Sequence, residues 1–77
     1  MKLSNIKTGQ KAIITIVNTD DLAAGRLMEM GFSQGTEITR VLNSMSKNLS
    51  AYRVKNTVIS IRNDTADKIK VSLIFGG

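Results

Sequence analysis

The 77-residue sequence contains neither cysteine nor histidine. The first absence excludes disulfides and thiolate metal sites. The second removes imidazole ligands and the usual general base at neutral pH. Aromatic residues are few, namely Phe32, Tyr52 and Phe75. No run approaches the roughly 18 consecutive apolar residues that span a bilayer. The opening Met1-Lys2-Leu3-Ser4-Asn5 lacks the apolar stretch and small-residue cleavage site of a signal peptide, so a cytoplasmic location is expected. Gly25, Gly31 and Gly35 have neither the spacing nor the Lys-Ser/Thr pair of a phosphate-binding loop. No base is identifiable beside any serine, threonine or lysine. These absences predict a chain that binds a partner rather than an enzyme, and no cofactor.

What is present is short, basic and rich in aliphatic residues. The length accommodates one domain, residues 1–77, with a thin core held by aliphatic packing and backbone pairing. The formal charge is +5, from 11 Lys+Arg against 6 Asp+Glu. The cations are spread along the chain without a basic run, which reads as a solubilising surface, and no nucleic acid is expected. Two alternatives stand beside that reading. A nucleic-acid-binding barrel would use the charge but has few aromatics for base stacking. A generic SH3-like module for Pro-rich segments needs several aligned aromatics.

Strand-like runs dominate. Residues 3–6 read as a turn that tucks Leu3 and Ile6 inward, and β-branched residues at 11–17 predict a strand buried on much of both faces. Residues 20–30 predict a helix with Asp20 as N-cap and Asp21 in the first turn. Ala23, Leu27 and Met30 would form its apolar face, which makes Met30 a core residue. Gly31 is the expected left-handed residue after that helix, with Phe32 folding back onto Leu27. Further strands are expected at 36–42, 50–55, 58–62 and 68–74, with a polar hairpin loop at 43–49 and a tight turn at Asn56-Thr57. Residues 63–67 read as one capped helical turn, and 75–77 as a frayed tail. The predicted fold is mainly β: a small five-stranded SH3-like barrel, with one α-helix between the first and second strands.

The carboxylate pairs Asp20/Asp21 and Asp64/Asp67 are read as helix-start chemistry rather than metal ligands. Arg26 is expected to pair with Glu29, and its functional reading is contact with an acidic or phosphate-bearing partner. Arg62 is expected to pair with Asp64 or Asp67. Met28 lies off the apolar helix face and Met45 lies in a polar stretch, and flexible exposed methionines suit adaptable binding surfaces. With Tyr52 they could form an apolar patch. The candidate partner-binding residues are therefore Arg26, Met28, Met45 and Tyr52.

Three segments carry a family resemblance. Arg26-Leu27-Met28-Glu29-Met30-Gly31-Phe32-Ser33-Gln34-Gly35-Thr36-Glu37-Ile38 resembles the central signature of FeoA proteins. Leu3-Ser4-Asn5-Ile6-Lys7-Thr8-Gly9 is similar to the family's opening, and Ile59-Ser60-Ile61-Arg62 through Val71 to its closing segment. The departures are residues 43–50, which carry neither glycine nor proline, and Asn56 where the family usually has glycine. The resemblance implies an SH3-like accessory protein of ferrous-iron uptake. Its expected partner is the cytoplasmic GTP-binding region of the FeoB transporter, so the membrane would be reached only through that partner. Any transition-metal binding is implied by the family association alone. A related module also serves as the C-terminal domain of some iron-dependent repressors, which is a further alternative.

Overall fold

A computed structural model describes residues 1–18, 20–46 and 48–74, with the side chains of 42–46 outside that description. A 3₁₀ turn at Leu3–Asn5 precedes β1 (Lys11–Val17), α1 (Leu22–Glu29), β2 (Glu37–Ser46) and β3 (Leu49–Val54). Then follow β4 (Thr57–Arg62), α2 (Asn63–Ala66) and β5 (Ile69–Leu73). The strands form one antiparallel five-stranded sheet in the order β4-β3-β2-β1-β5. This is the mainly β architecture expected, with α1 between the first two strands. The β4 and β5 edges are joined by α2. The N-terminal segment lies along β5, where Lys2 bridges Lys70 and the Val71 N–H donates to the Met1 carbonyl at 2.7 Å.

The sheet curls around one core because every second residue of each strand points inward. Ala12 and Ile14, Ile38, Tyr52 and Val54, Ile61, and Ile69 and Val71 are the inward residues of the five strands. Leu3 and Ile6 from the 3₁₀ turn, Phe32 after α1, and Ala66 of α2 complete the cluster. Each fully buried large aliphatic or aromatic side chain contributes about 1.5–3 kcal/mol. The stop of α1 follows the expected pattern. Gly31 adopts φ 107°, the Phe32 N–H donates to the Leu27 carbonyl at 3.0 Å, and the Gly31 N–H donates to Met28 at 3.1 Å. This pairing is a complete Schellman motif, and it delivers Phe32 into the core.

Several expectations need correction. β1 is not buried on both faces: Ala12 and Ile14 are inside, while Ile13 is exposed and Ile16 is 58% exposed. The sheet is a single layer whose outer face meets solvent, so a β-branched run reports strand propensity and not two-sided burial. The N-cap of α1 is Asp21, whose carboxylate accepts from the Ala24 N–H at 3.0 Å, rather than Asp20. The side of α1 turned to the sheet is set by packing, which buries Ala24, leaves Leu27 half-buried and exposes Ala23. Met30 is consequently no core residue and is 61% exposed. The expected loop at 43–49 is mostly strand, since β2 continues to Ser46 and pairs Ser46 with Leu49. The pairing shifts register after Arg40 and again after Leu42. The β3–β4 turn is Lys55-Asn56, at φ 50° and 67°, and not Asn56-Thr57. Two left-handed residues make the two-residue turn that matches strand twist. The expected tail at 75–77 lies outside the described residues.

Candidate functional site

The helix α1 lies beside β4 and α2, and an open groove of about 530 Å³ runs between them. Leu22, Ala23, Arg26 and Leu27 line one wall, and Ser60, Ile61, Arg62, Asp64 and Lys68 the other. Leu27 and Ile61 make an apolar floor because both belong to the edge of the core. Three of the charged groups are occupied locally. Asp21, at the groove's end, caps α1. Arg62 pairs with Asp64, Nε to Oδ1 at 3.3 Å, and Asp64 also accepts from the Thr65 N–H at 2.8 Å. The pairing of Arg62 is the one anticipated.

Arg26 behaves differently. The expected pair with Glu29 is absent, and among the described residues Arg26 makes no ion pair. The i, i+3 spacing permits contact, but an exposed pair on one short helix is worth only a few tenths of a kcal/mol. Lys68 makes no ion pair among the described residues either. The groove therefore offers two open cations above an aliphatic floor. That combination accepts a carboxylate or phosphate beside an apolar side chain.

The other candidates scatter. Met28 is 44% exposed on the outer face of α1, where it borders a second shallow depression with Leu22, Gly25, Arg26 and Glu29. Leu22, 72% exposed, belongs to both depressions. Arg26 and Met28 thus share one surface. Tyr52 does not join them. It is fully buried on β3, where its hydroxyl donates to the Leu3 carbonyl at a long 3.5 Å and lies within reach of the Ser50 hydroxyl. Its inward register, opposite Arg40, puts the ring in the core rather than in a contact patch. The side chain of Met45 lies outside the described residues.

A polar cluster that sequence reasoning passed over sits beneath the N-terminal turn. Arg40 Nη1 donates to the Ile6 carbonyl at 2.6 Å, and Nη2 to the Ser50 hydroxyl at 2.9 Å. The Ser50 hydroxyl in turn donates to Asn63 Oδ1 at 3.0 Å. Arg40 so joins the turn, β3 and α2, and the Ser4 hydroxyl adds a bond to Asp67. Burial pushes the Tyr52 phenol above its ordinary value, while the Arg40 charge and the Ser50 hydroxyl act the other way and Asp67 adds to the rise. The signal was available: Arg40 is two residues from inward-facing Ile38, a parity that points it into the barrel. Among the described residues no three carboxylates gather as a metal site. Asp21 caps α1 and Asp64 bonds within the first turn of α2, whereas Asp67 stands at the end of α2 rather than its start and accepts from Ser4.

A family model of the FeoA domain matches residues 1–73. The chain belongs to the FeoA family. This FeoA chain is 36% identical over 74 residues to a Porphyromonas gingivalis protein that fuses Fe(2+) transport protein A to the Fe(2+) transporter FeoB. That match covers 96% of the chain but spans 9% of the fusion protein's length. It is 30% identical to a putative Fe(2+) transport protein A of Campylobacter jejuni, over 96% of this chain and 100% of that protein. Solved structures agree on the fold. The FeoA protein of Chlorobium tepidum superposes with a TM-score of 0.87 at 25% identity, covering 100% of this chain and 73% of that one. A zinc complex of Stenotrophomonas maltophilia FeoA, described as an SH3 domain protein, gives 0.78 at 25% identity over 94% and 89%. The fold is therefore the SH3-like one expected. It also occurs within a manganese-dependent transcriptional repressor, at a TM-score of 0.83, 12% identity and coverage of 96% and 41%. At that identity only the fold is shared. Membership associates this FeoA chain with ferrous-iron transport.

Proposed function

We propose that this chain is a non-catalytic, cytoplasmic accessory protein of ferrous-iron uptake, acting by direct contact with the GTP-binding region of a FeoB transporter. One observation carries the reading: a relative 36% identical to the chain is fused to FeoB in a single polypeptide. Fusion of a domain to a transporter keeps it at high effective concentration beside that transporter, which is useful when the two act together. The outer face of α1 and its groove supply the contact, with Arg26 and Lys68 as open cations and Leu22 and Met28 as exposed apolar anchors. Arginine suits carboxylate or phosphate recognition, and a flexible methionine repacks against an uneven partner.

Binding of this chain to the cytoplasmic region of the cognate transporter tests the proposal, with and without bound GTP analogue. Saturable binding in at least one nucleotide state is expected. Charge reversal at Arg26 together with Met28→Asp is expected to weaken it at least about tenfold, about 1.4 kcal/mol. No binding in either state would overturn the proposal.

A further inference from the structure

The acidic residues of this domain gather around its helices, with Arg26, Arg62 and Lys68 standing among them. Five of the six acidic residues, Asp20, Asp21, Glu29, Asp64 and Asp67, lie on or beside α1 and α2. The outer face of the sheet carries the opposite balance. Strand register places Val58, Arg53, Thr39 and Lys11 in one row across β4, β3, β2 and β1. Ile74 continues the row, its N–H donating to the Lys11 carbonyl at 3.0 Å. Lys55 joins Lys11, Arg53 and Thr39 around one shallow depression, which holds a single carboxylate, Glu37. Glu37 faces Lys11 at 4.0 Å, both well exposed, so it neutralises little. Arg53 and Lys55 make no ion pair among the described residues.

Aliphatic side chains surround these cations. Val58, 53% exposed, stands across from Arg53, and the exposed Ile13 and Ile74 stand next to Lys11. Among the described residues no aromatic is exposed, since Phe32 and Tyr52 are buried. A single-stranded nucleic acid would call for stacking platforms, which this face lacks. Cations interleaved with aliphatic residues instead match the interface of an anionic bilayer, where ammonium and guanidinium groups meet lipid phosphates and aliphatic side chains enter the headgroup region.

We infer that the outer face of the β1–β4 sheet is a binding surface for anionic phospholipid.

Sedimentation of the full chain with vesicles of phosphatidylcholine, with and without roughly a third phosphatidylserine, tests this. Binding is expected only with phosphatidylserine, and it should fade as the Debye length falls from about 30 Å at 0.01 M salt to about 8 Å at 0.15 M. Each cation near an anionic surface is worth roughly a fivefold change in partition, so Arg53→Gln with Lys55→Gln should lower it roughly 25-fold. Arg53→Gln alone gives a second reading, roughly fivefold, should the turn at Lys55 prove sensitive. Arg26→Gln with Lys68→Gln, outside the Lys11, Arg53 and Lys55 depression, should leave partition unchanged. Absence of binding to phosphatidylserine vesicles would overturn the inference. So would equal loss from the Arg26 and Lys68 variant, or displacement of the chain from vesicles by DNA or RNA.

Discussion

Arg40 on β2 and Tyr52 on β3 stand directly opposite one another, both on the inner face of the sheet. An arginine in that position would be costly if unpaired. Its guanidinium instead reaches the carbonyl of Ile6 and the hydroxyl of Ser50, with a longer 3.4 Å contact to the Ser4 carbonyl. Only Nε remains buried without a partner among the described residues. The N-terminal turn is thereby fastened onto the sheet. Arg40→Ala should cost about 3 kcal/mol in chemical denaturation, because two carbonyls and a hydroxyl lose a charged donor. Arg40→Lys keeps the charge but loses the planar fork, and should cost about 1–2 kcal/mol.

Tyr52 predicts a pH dependence. Its phenol is held above the ordinary 10.0, chiefly by burial. The native state therefore keeps the proton at a pH where the unfolded chain has released it. Stability from this group is fully present below pH 10.0 and falls as pH rises through the native value. Tyr52→Phe should abolish that alkaline loss while costing less than about 1 kcal/mol at neutral pH, since the bond to Leu3 is long. Urea titrations at pH 8 and pH 11 provide the check; an unchanged alkaline slope in the variant would refute the assignment.

The stop of α1 rests on one backbone angle. At φ 107° Gly31 occupies a conformation that a side chain disfavours. A Cβ there would meet only Lys55 Nζ, at 3.7 Å, so steric clash is not the issue. Gly31→Ala should therefore lower stability by about 1–2 kcal/mol through backbone strain alone. Thermal unfolding would show it as a reduced Tm with unchanged far-ultraviolet circular dichroism.

Ala24 on α1 and Met30 just past its end make a contrasting pair. Met30→Lys should change stability by no more than about 0.5 kcal/mol, because the side chain stands in solvent. Ala24→Leu should destabilise by about 1–3 kcal/mol, because Ala24 is fully buried and its site would be overfilled. The reverse result would restore Met30 to the core and move Ala24 to the surface.

The strand pattern of this protein was legible because alternation is a local property. Ile59 and Ile61 against Ser60 and Arg62, or Ile69 and Val71 against Lys68 and Lys70, declare their inner face without knowledge of their neighbours. The glycine after α1 and the helical turn at 63–66 were legible for the same reason, since each is set within a few residues. Missing cysteine and histidine likewise bounded the chemistry before any folding. Tertiary structure decided the rest. Which side of α1 is buried depended on where the sheet lies, and that side encloses Ala24 and leaves Met30 exposed. Whether the outer faces of Ile13 and Ile16 were covered depended on a second layer, which the described residues do not supply. Arg40 and Tyr52 meet 12 positions apart only because β2 and β3 pair in one register, and Arg26 and Lys68 line one groove only because α1 packs beside α2. Local patterning settles what each segment becomes; only packing settles which side chains remain free to bind.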